Sequence, residues 1–177
     1  MRHDIPMGPK IAVRDERSAD ARAISEVTIA AFSALEISNH TEQFIIGALR
    51  AAGALTVSLV AEVDGRLVGH IAFSPVDISD GTPSWYGLGP VSVLPEYQRK
   101  GIGKALIEAG LSRLKGLGAG VCCLAGHPEY YGRFGFRNVP GLGHEGVPRE
   151  VFFALSFDGH YPLGEVTFHE AFKAAGG

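Results

Sequence analysis

The run Gln98-Arg99-Lys100-Gly101-Ile102-Gly103-Lys104 puts two glycines and three cations directly ahead of an apolar helical stripe. The first N–H groups of a helix have no internal partners, and they sit at the positive end of its dipole. Gly101 and Gly103 let an anion reach that backbone with no Cβ in the way. Arg99, Lys100 and Lys104 add charge locally, on a chain whose net charge is −3. The sum predicts a cradle for a phosphate or pyrophosphate. Two nucleotide fingerprints fail on counting. A P-loop would place its first glycine at Gln98 and its Ser/Thr at Ala105, and a dinucleotide loop would need a third glycine at Leu106. A plain strand-turn-helix with solvated lysines is the competing reading.

A second group of residues could move protons. Tyr130 and Tyr131 stand in the run Tyr130-Tyr131-Gly132-Arg133-Phe134-Gly135-Phe136, and His127 lies just before it. An imidazole titrates in the range useful to a general base. A histidine that only packs or binds backbone explains His127 equally well. Glu129, Glu36, His40 and His70 are weaker candidates. The seven histidines and two cysteines show no metal-ligand spacing, so no metal is expected. Cys122 and Cys123 are adjacent, so in a strand they point to opposite faces and cannot pair with each other. Buried, inert thiols are the simpler reading, and two thiols without a framework suit a reducing cytoplasm.

These residues need elements to hold them. Lys10 to Arg14 alternates and reads as a strand. Ser18 can cap a helix that carries Ile24, Val27, Ala31 and Leu35, and Thr41 can cap a second with Phe44, Ile45, Ala48 and Leu49. Leu55 to Val63 and Arg66 to Ile78 flank Asp64-Gly65, a strong hairpin signal. Trp85 to Leu94 is a further strand, and its Gly87-Leu88-Gly89-Pro90 run predicts a bulge or a splayed section. A helix follows from about Gly101 to Leu117, then a buried strand from Gly120 to Ala125, a short helix from Pro128 to Phe134, and a strand from Val151 to Phe157. His160 to Gly177 reads either as a terminal strand and helix turn or as a partly loose tail. Met1 to Lys10 reads as a loose leader before one domain over 11–177. The order is mixed α/β (α+β), with strands in runs as well as alternating with helices.

Bulk composition narrows the partners. A length of 177 residues suits one domain with a real core. The acidic balance provides no global field for nucleic acid or a membrane surface. No apolar run approaches the ~20 residues of a membrane helix.

Gln-x-x-Gly-x-Gly after an apolar strand resembles the coenzyme-A loop of the GNAT superfamily of N-acetyltransferases. Val91 to Leu106 carries that likeness, and Tyr130 to Phe136 looks like the family's aromatic-Tyr-x-x-x-Gly-Phe signature. The resemblance covers about Ile11 to Phe157. It implies a central mixed, mostly antiparallel sheet with splayed middle strands flanked by helices. It implies acetyl-CoA as co-substrate, with the pantetheine arm on the backbone of Val91, Ser92 and Val93. The amides from Arg99 to Lys104 would hold the pyrophosphate. Tyr131 matches the acid that protonates the leaving thiolate, while Tyr130 and Phe134 read as aromatic core. Two features depart from the family. The fourth strand lacks its usual Glu, which leaves His127 as the local substitute base, and Leu124 to Glu129 lacks the usual Asn. The run from Pro128 through Gly146-Val147-Pro148 looks similar to a bacterial subgroup of acetyltransferases. The implied reaction is acetyl transfer to a primary amine of a small molecule or peptide, with substrate contacts from Phe32 to Glu42. An acyl-coenzyme A sensor without turnover is the alternative. A homodimer, paired through edge strands such as Val151 to Phe157, is compatible with the fold analogy.

Overall fold

The structure is a computed structural model, and it describes residues 10–33, 35 and 38–175. In chain order its elements are β1 (Ile11–Asp15), α1 (Ala21–Phe32), α2 (Glu42–Ala51), β2 (Val57–Val63), β3 (Arg66–Ile78), β4 (Trp85–Val93), α3 (Ile102–Gly116), β5 (Val121–Ala125), α4 (Pro128–Tyr131), β6 (Leu142–Gly143), β7 (Phe152–Ser156) and β8 (Gly164–Phe168). The Asp64-Gly65 turn takes positive φ at both residues, 51° and 79°, and closes β2 and β3 into the expected hairpin. The main sheet runs β1-β2-β3-β4-β5-β7. All its pairs are antiparallel except β4 with β5, which α3 connects as a crossover. The far end of β3 pairs with β8, which in turn pairs with β6. The end of the chain is therefore a terminal strand and helix turn. The proposed leader lies outside the described residues except for Lys10, as do Glu36 and the last two glycines.

Each face of the sheet is covered. Ile102, Leu106, Ile107 and Leu114 of α3 join Leu59, Ala61, Ile71 and Phe73 of the strands in one apolar cluster. Gly110 lets the helix come this close, since a Cβ there would lie 2.2 Å from a ring carbon of Phe73. On the opposite face, Ile24 of α1 and Ile46 of α2 pack on Val60. The alternation of β5 sends Cys122 into the α3 cluster and Cys123 into a separate one, and both thiols are free and buried. Burial pushes both thiols up from their ordinary pKa, as inert core cysteines require.

Three local expectations shift. Ser18 opens a 3-10 turn, and α1 begins after Asp20, whose carboxylate is held by Arg14 at 2.7 Å and by the Arg17 N–H at 2.6 Å. Thr41 does precede α2, but its hydroxyl makes no capping bond. The outer edge of β7 is partly occupied, because Arg137 exchanges backbone hydrogen bonds with Ala154.

A polar strip lies under α2. Arg50 pairs with Glu16 at 3.0 Å, Glu16 meets the Ser58 hydroxyl, and Ser58 Oγ lies 2.8 Å from His70 Nε2. His70 is fully buried, and burial lowers its pKa to about 4. It is a neutral core histidine and is closed to an incoming amine.

Candidate active site

β4 and β5 part company inside the sheet. They pair only at Trp85–Val121, Tyr86–Cys122 and Gly87–Cys123. Beyond Gly87, β4 keeps its partner β3 but has none on the β5 side, so a row of backbone groups faces an open wedge. The Gly-rich run drives the divergence. Between Ile71↔Val91 and Phe73↔Leu88, β4 carries one residue more than β3, a bulge at Gly89 and Pro90.

A cleft of about 560 Å³ continues from the wedge to the start of α3. Val91, Val93, Gln98, Arg99, Gly101, Ile102, Gly103 and Lys104, all among the residues singled out from the sequence, line it. Its remaining walls are Ala31, Phe32, Leu35, Tyr97, Tyr130 and Arg133. Arg99 takes a left-handed φ of 63° and Gly101 one of 84°, turning the chain tightly into the helix. The first bond into the helix runs from the Ala105 N–H to the Gly101 carbonyl, at 3.0 Å. The amides of Ile102, Gly103 and Lys104 precede that bond and are free for an anion. Gln98 plays a part the loop motif did not reveal. Its side chain donates to the Val93 carbonyl at 3.1 Å and straps the loop to the end of β4.

Two residues of the expected set stand apart. Ser92 is buried across from His70, its partner in the β3–β4 pairing, and does not line the cleft. Lys100 leans over the Tyr97 ring, 5.5 Å from its centroid, rather than lining the cleft. Arg133, supplied by the turn after α4, adds a cation that sequence reasoning missed; it sits 6.0 Å over the Tyr130 ring.

The tyrosines divide the work. Tyr130, expected in the core, packs against the α3 cluster and also lines the cleft, and a Cβ on Gly103 would lie 3.0 Å from its hydroxyl. Tyr131 lies deeper, edge-on to Tyr130 at 5.0 Å and to Phe136 at 6.1 Å. Its ring rests against Gly126, just past the end of β5. Burial, helped by Tyr130 and Cys122, pushes its phenol up to about 12. Such a phenol holds its proton at neutral pH. His127 is exposed at the start of α4, makes no side-chain hydrogen bond among the described residues, and lines neither this cleft nor the one on the opposite face of the sheet. Glu129 is likewise exposed on α4.

The opposite-face cleft, about 450 Å³, reaches the wedge through Leu88 and Ala125. Val147, Phe168 and Phe172 make it apolar, and His144, His169 and Lys173 are its titratable groups. Among the described residues no three His, Cys, Asp or Glu side chains gather as metal ligands would. No described helix is long and apolar enough to cross a membrane.

Residues 22–136 match the model of the acetyltransferase (GNAT) family. The uncharacterized N-acetyltransferase YhbS of Escherichia coli K12 is 34% identical over 125 residues, 70% of this chain and 72% of the relative. A GNAT family acetyltransferase from Brucella melitensis, solved in complex with acetyl-CoA, superposes with a TM-score of 0.83 at 49% identity, over 92% of this chain and 98% of that one. The YhbS structure from Escherichia coli, in complex with CoA, gives 0.86 at 29% identity over 98% of both chains.

Proposed function

The chain belongs to the acetyltransferase (GNAT) family, and from that premise we propose that it moves the acetyl group of acetyl-coenzyme A to a primary amine by direct attack. The observation that carries the reading is the wedge between β4 and β5, open from Gly87 onward and ending on the free amides of α3. The β5-side edge of β4 around Val91 and Val93, where Gln98 already holds the Val93 carbonyl, supplies the remaining donors and acceptors for the amides of a pantetheine arm, with Ser92 between them held to β3. The backbone from Arg99 to Lys104 receives the pyrophosphate, with Arg99, Lys104 and Arg133 countering its charge. The two most similar structures described above hold acetyl-CoA and CoA, which supports the same assignment here.

The chemistry requires proton traffic in two directions. The acceptor ammonium loses a proton to become a nucleophile. Its nitrogen then bonds to the thioester carbonyl carbon, the C–S bond breaks, and the sulfur takes a proton from Tyr131. The amide nitrogen sheds its second proton, which restores the phenol through solvent, so one proton is released per turnover. Burial keeps the Tyr131 phenol protonated at neutral pH, so the proton is in place when the thiolate forms.

Calorimetric titration with acetyl-coenzyme A at two salt concentrations tests the binding half. Micromolar-range affinity that weakens with salt and is lost in Gly103→Glu is expected, because the carboxylate would enter the cradle beside the Tyr130 hydroxyl. Absence of heat and of thermal stabilisation would mean that the loop is an ordinary turn.

A further inference from the structure

We propose that the cleft on the opposite face of the sheet is the acceptor site, that it takes a primary amine on an apolar body, and that His144 is the base that deprotonates it. The proposal rests on the acetyl-coenzyme A reading, which puts the thioester in the wedge. The two clefts reach that wedge from opposite sides. Val91 and Val93 pack with the α3 cluster, while Phe168 and Val147 pack with the cluster on the other face. Phe168 stands directly on Gly87, the last residue of β4 paired to β5: a Cβ there would lie 2.6 Å from the ring. The His144 ring is edge-on to Phe168 at 4.7 Å. An unbroken path of contacts thus links the wedge to His144.

The hydrogen bonds assign both imidazoles. His144 Nδ1 lies 2.7 Å from the Val166 carbonyl, which can only accept, so Nδ1 carries the hydrogen. Nε2 is the nitrogen left with a lone pair, as a base requires. His169 is the reverse. Its Nδ1 accepts the Ala171 N–H at 3.0 Å, so its hydrogen is on Nε2. The two imidazoles therefore present one ring acceptor and one ring donor among largely apolar walls.

Those walls select the acceptor. Among the described residues Lys173 is the one lysine or arginine lining the cleft, and none of those lining it is a carboxylate. A polycation would meet a like charge and no counter-charge. A primary amine with an aryl or alkyl body fits the apolar walls, and desolvation there favours its neutral, nucleophilic form. His144 Nε2 takes the ammonium proton, the nitrogen attacks the thioester carbon, and the thiolate leaves with the Tyr131 proton.

The test uses the full chain with acetyl-coenzyme A and two probes, 2-phenylethylamine and spermidine, following thiol release across pH 6 to 9. His144→Asn keeps a donor for the Val166 carbonyl and removes the base. We expect phenylethylamine to exceed spermidine in kcat/KM by about tenfold or more. In His144→Asn, kcat/KM should fall about 10²-fold at neutral pH and recover as pH rises, with acetyl-coenzyme A affinity unchanged. A Val147→Trp variant, which fills the cleft, should raise the amine KM and leave coenzyme binding intact. Four results overturn the proposal: His144→Asn within threefold of wild type, His127→Ala losing the rate in its place, spermidine as the better substrate, or no turnover of phenylethylamine by a protein that binds acetyl-coenzyme A. Failure to bind acetyl-coenzyme A is a separate result that removes the parent reading.

Discussion

Gly126→Ala should slow the chemistry by moving a side chain that it never replaces. Gly126 does not take a positive φ, so the backbone accepts alanine there without strain. The added methyl, however, would lie 2.4 Å and 2.8 Å from two ring carbons of Tyr131, and 3.2 Å from Leu124 Cδ1. Ordinary carbon contacts begin near 3.4 Å, so the ring must give way by about 1 Å. Tyr130 and Phe136 confine it on other sides, and Leu124 is 1% exposed and cannot yield much. A shift of about 1 Å in a positioned group costs about 10²-fold in rate. The assay is steady-state acetyl transfer, with coenzyme affinity measured separately and a melt to confirm that the variant is folded. Overpacking should cost about 1–3 kcal/mol of stability, leaving a folded protein to assay. Tyr131→Phe should cost a similar or larger factor, and the double variant should be no slower than Tyr131→Phe alone. If Gly126→Ala slows the Tyr131→Phe background as much as the wild type, its effect does not pass through the phenol. If both single variants keep kcat within twofold, Tyr131 is not the acid.

Two further predictions concern the scaffold. The His70 pKa is about 4 in the fold, chiefly through burial, against 6.5 when exposed. As pH falls from 7 to 5 the unfolded chain binds a proton that the folded one refuses, so stability should drop by about 2 kcal/mol, a loss that grows until the pH passes the folded value. Urea unfolding at several pH values should show this slope in wild type and not in His70→Gln; parallel curves would refute it. Gly110→Ala would place its methyl 2.2 Å from Phe73, a fully buried ring, so despite the better helix propensity of alanine a net loss of about 2 kcal/mol is expected in urea midpoints. An unchanged or raised midpoint would mean that α3 can slide on the sheet.

The strand-loop-helix geometry around Gln98 to Lys104 was legible in the sequence because it is local. Its strand, glycines, cations and helix occupy one continuous run, and each contributes through backbone chemistry that depends little on the rest of the chain. The same holds for the Asp64-Gly65 hairpin and for the bulge at Gly89. Gln98 shows the limit even there: its type belonged to the motif, but its bond to the Val93 carbonyl required the folded turn. Tyr130 shows a similar limit, since it packs on the core as expected but also faces the cleft. The run Tyr130 to Phe136 predicts an aromatic cluster without saying which ring faces out, and the orientation of the short α4 decides that Tyr130 borders Gly103 while Tyr131 turns inward.

The proton acceptor was illegible because no periodicity or motif surrounds it. A search along the chain favours His127, the histidine nearest the tyrosine pair in sequence. In the proposed reaction that role falls to His144 instead. His144 follows a two-residue strand in a stretch with glycines on either side, and nothing local marks it as buried or paired. Its environment comes from β8, which supplies the Val166 carbonyl and the Phe168 ring, and β8 is attached to the sheet through the far end of β3. Gly87 explains why that attachment matters. A side chain there would collide with Phe168, so the glycine that precedes the β4 bulge also seats β8 against the opening between β4 and β5. One residue thus marks the end of the paired strands and makes room for Phe168, a wall of the second cleft. The absence of a carboxylate from Trp85 to Pro90 then has a structural counterpart: glycine occupies the position where Phe168 needs room, and the imidazole beyond that ring offers the free lone pair.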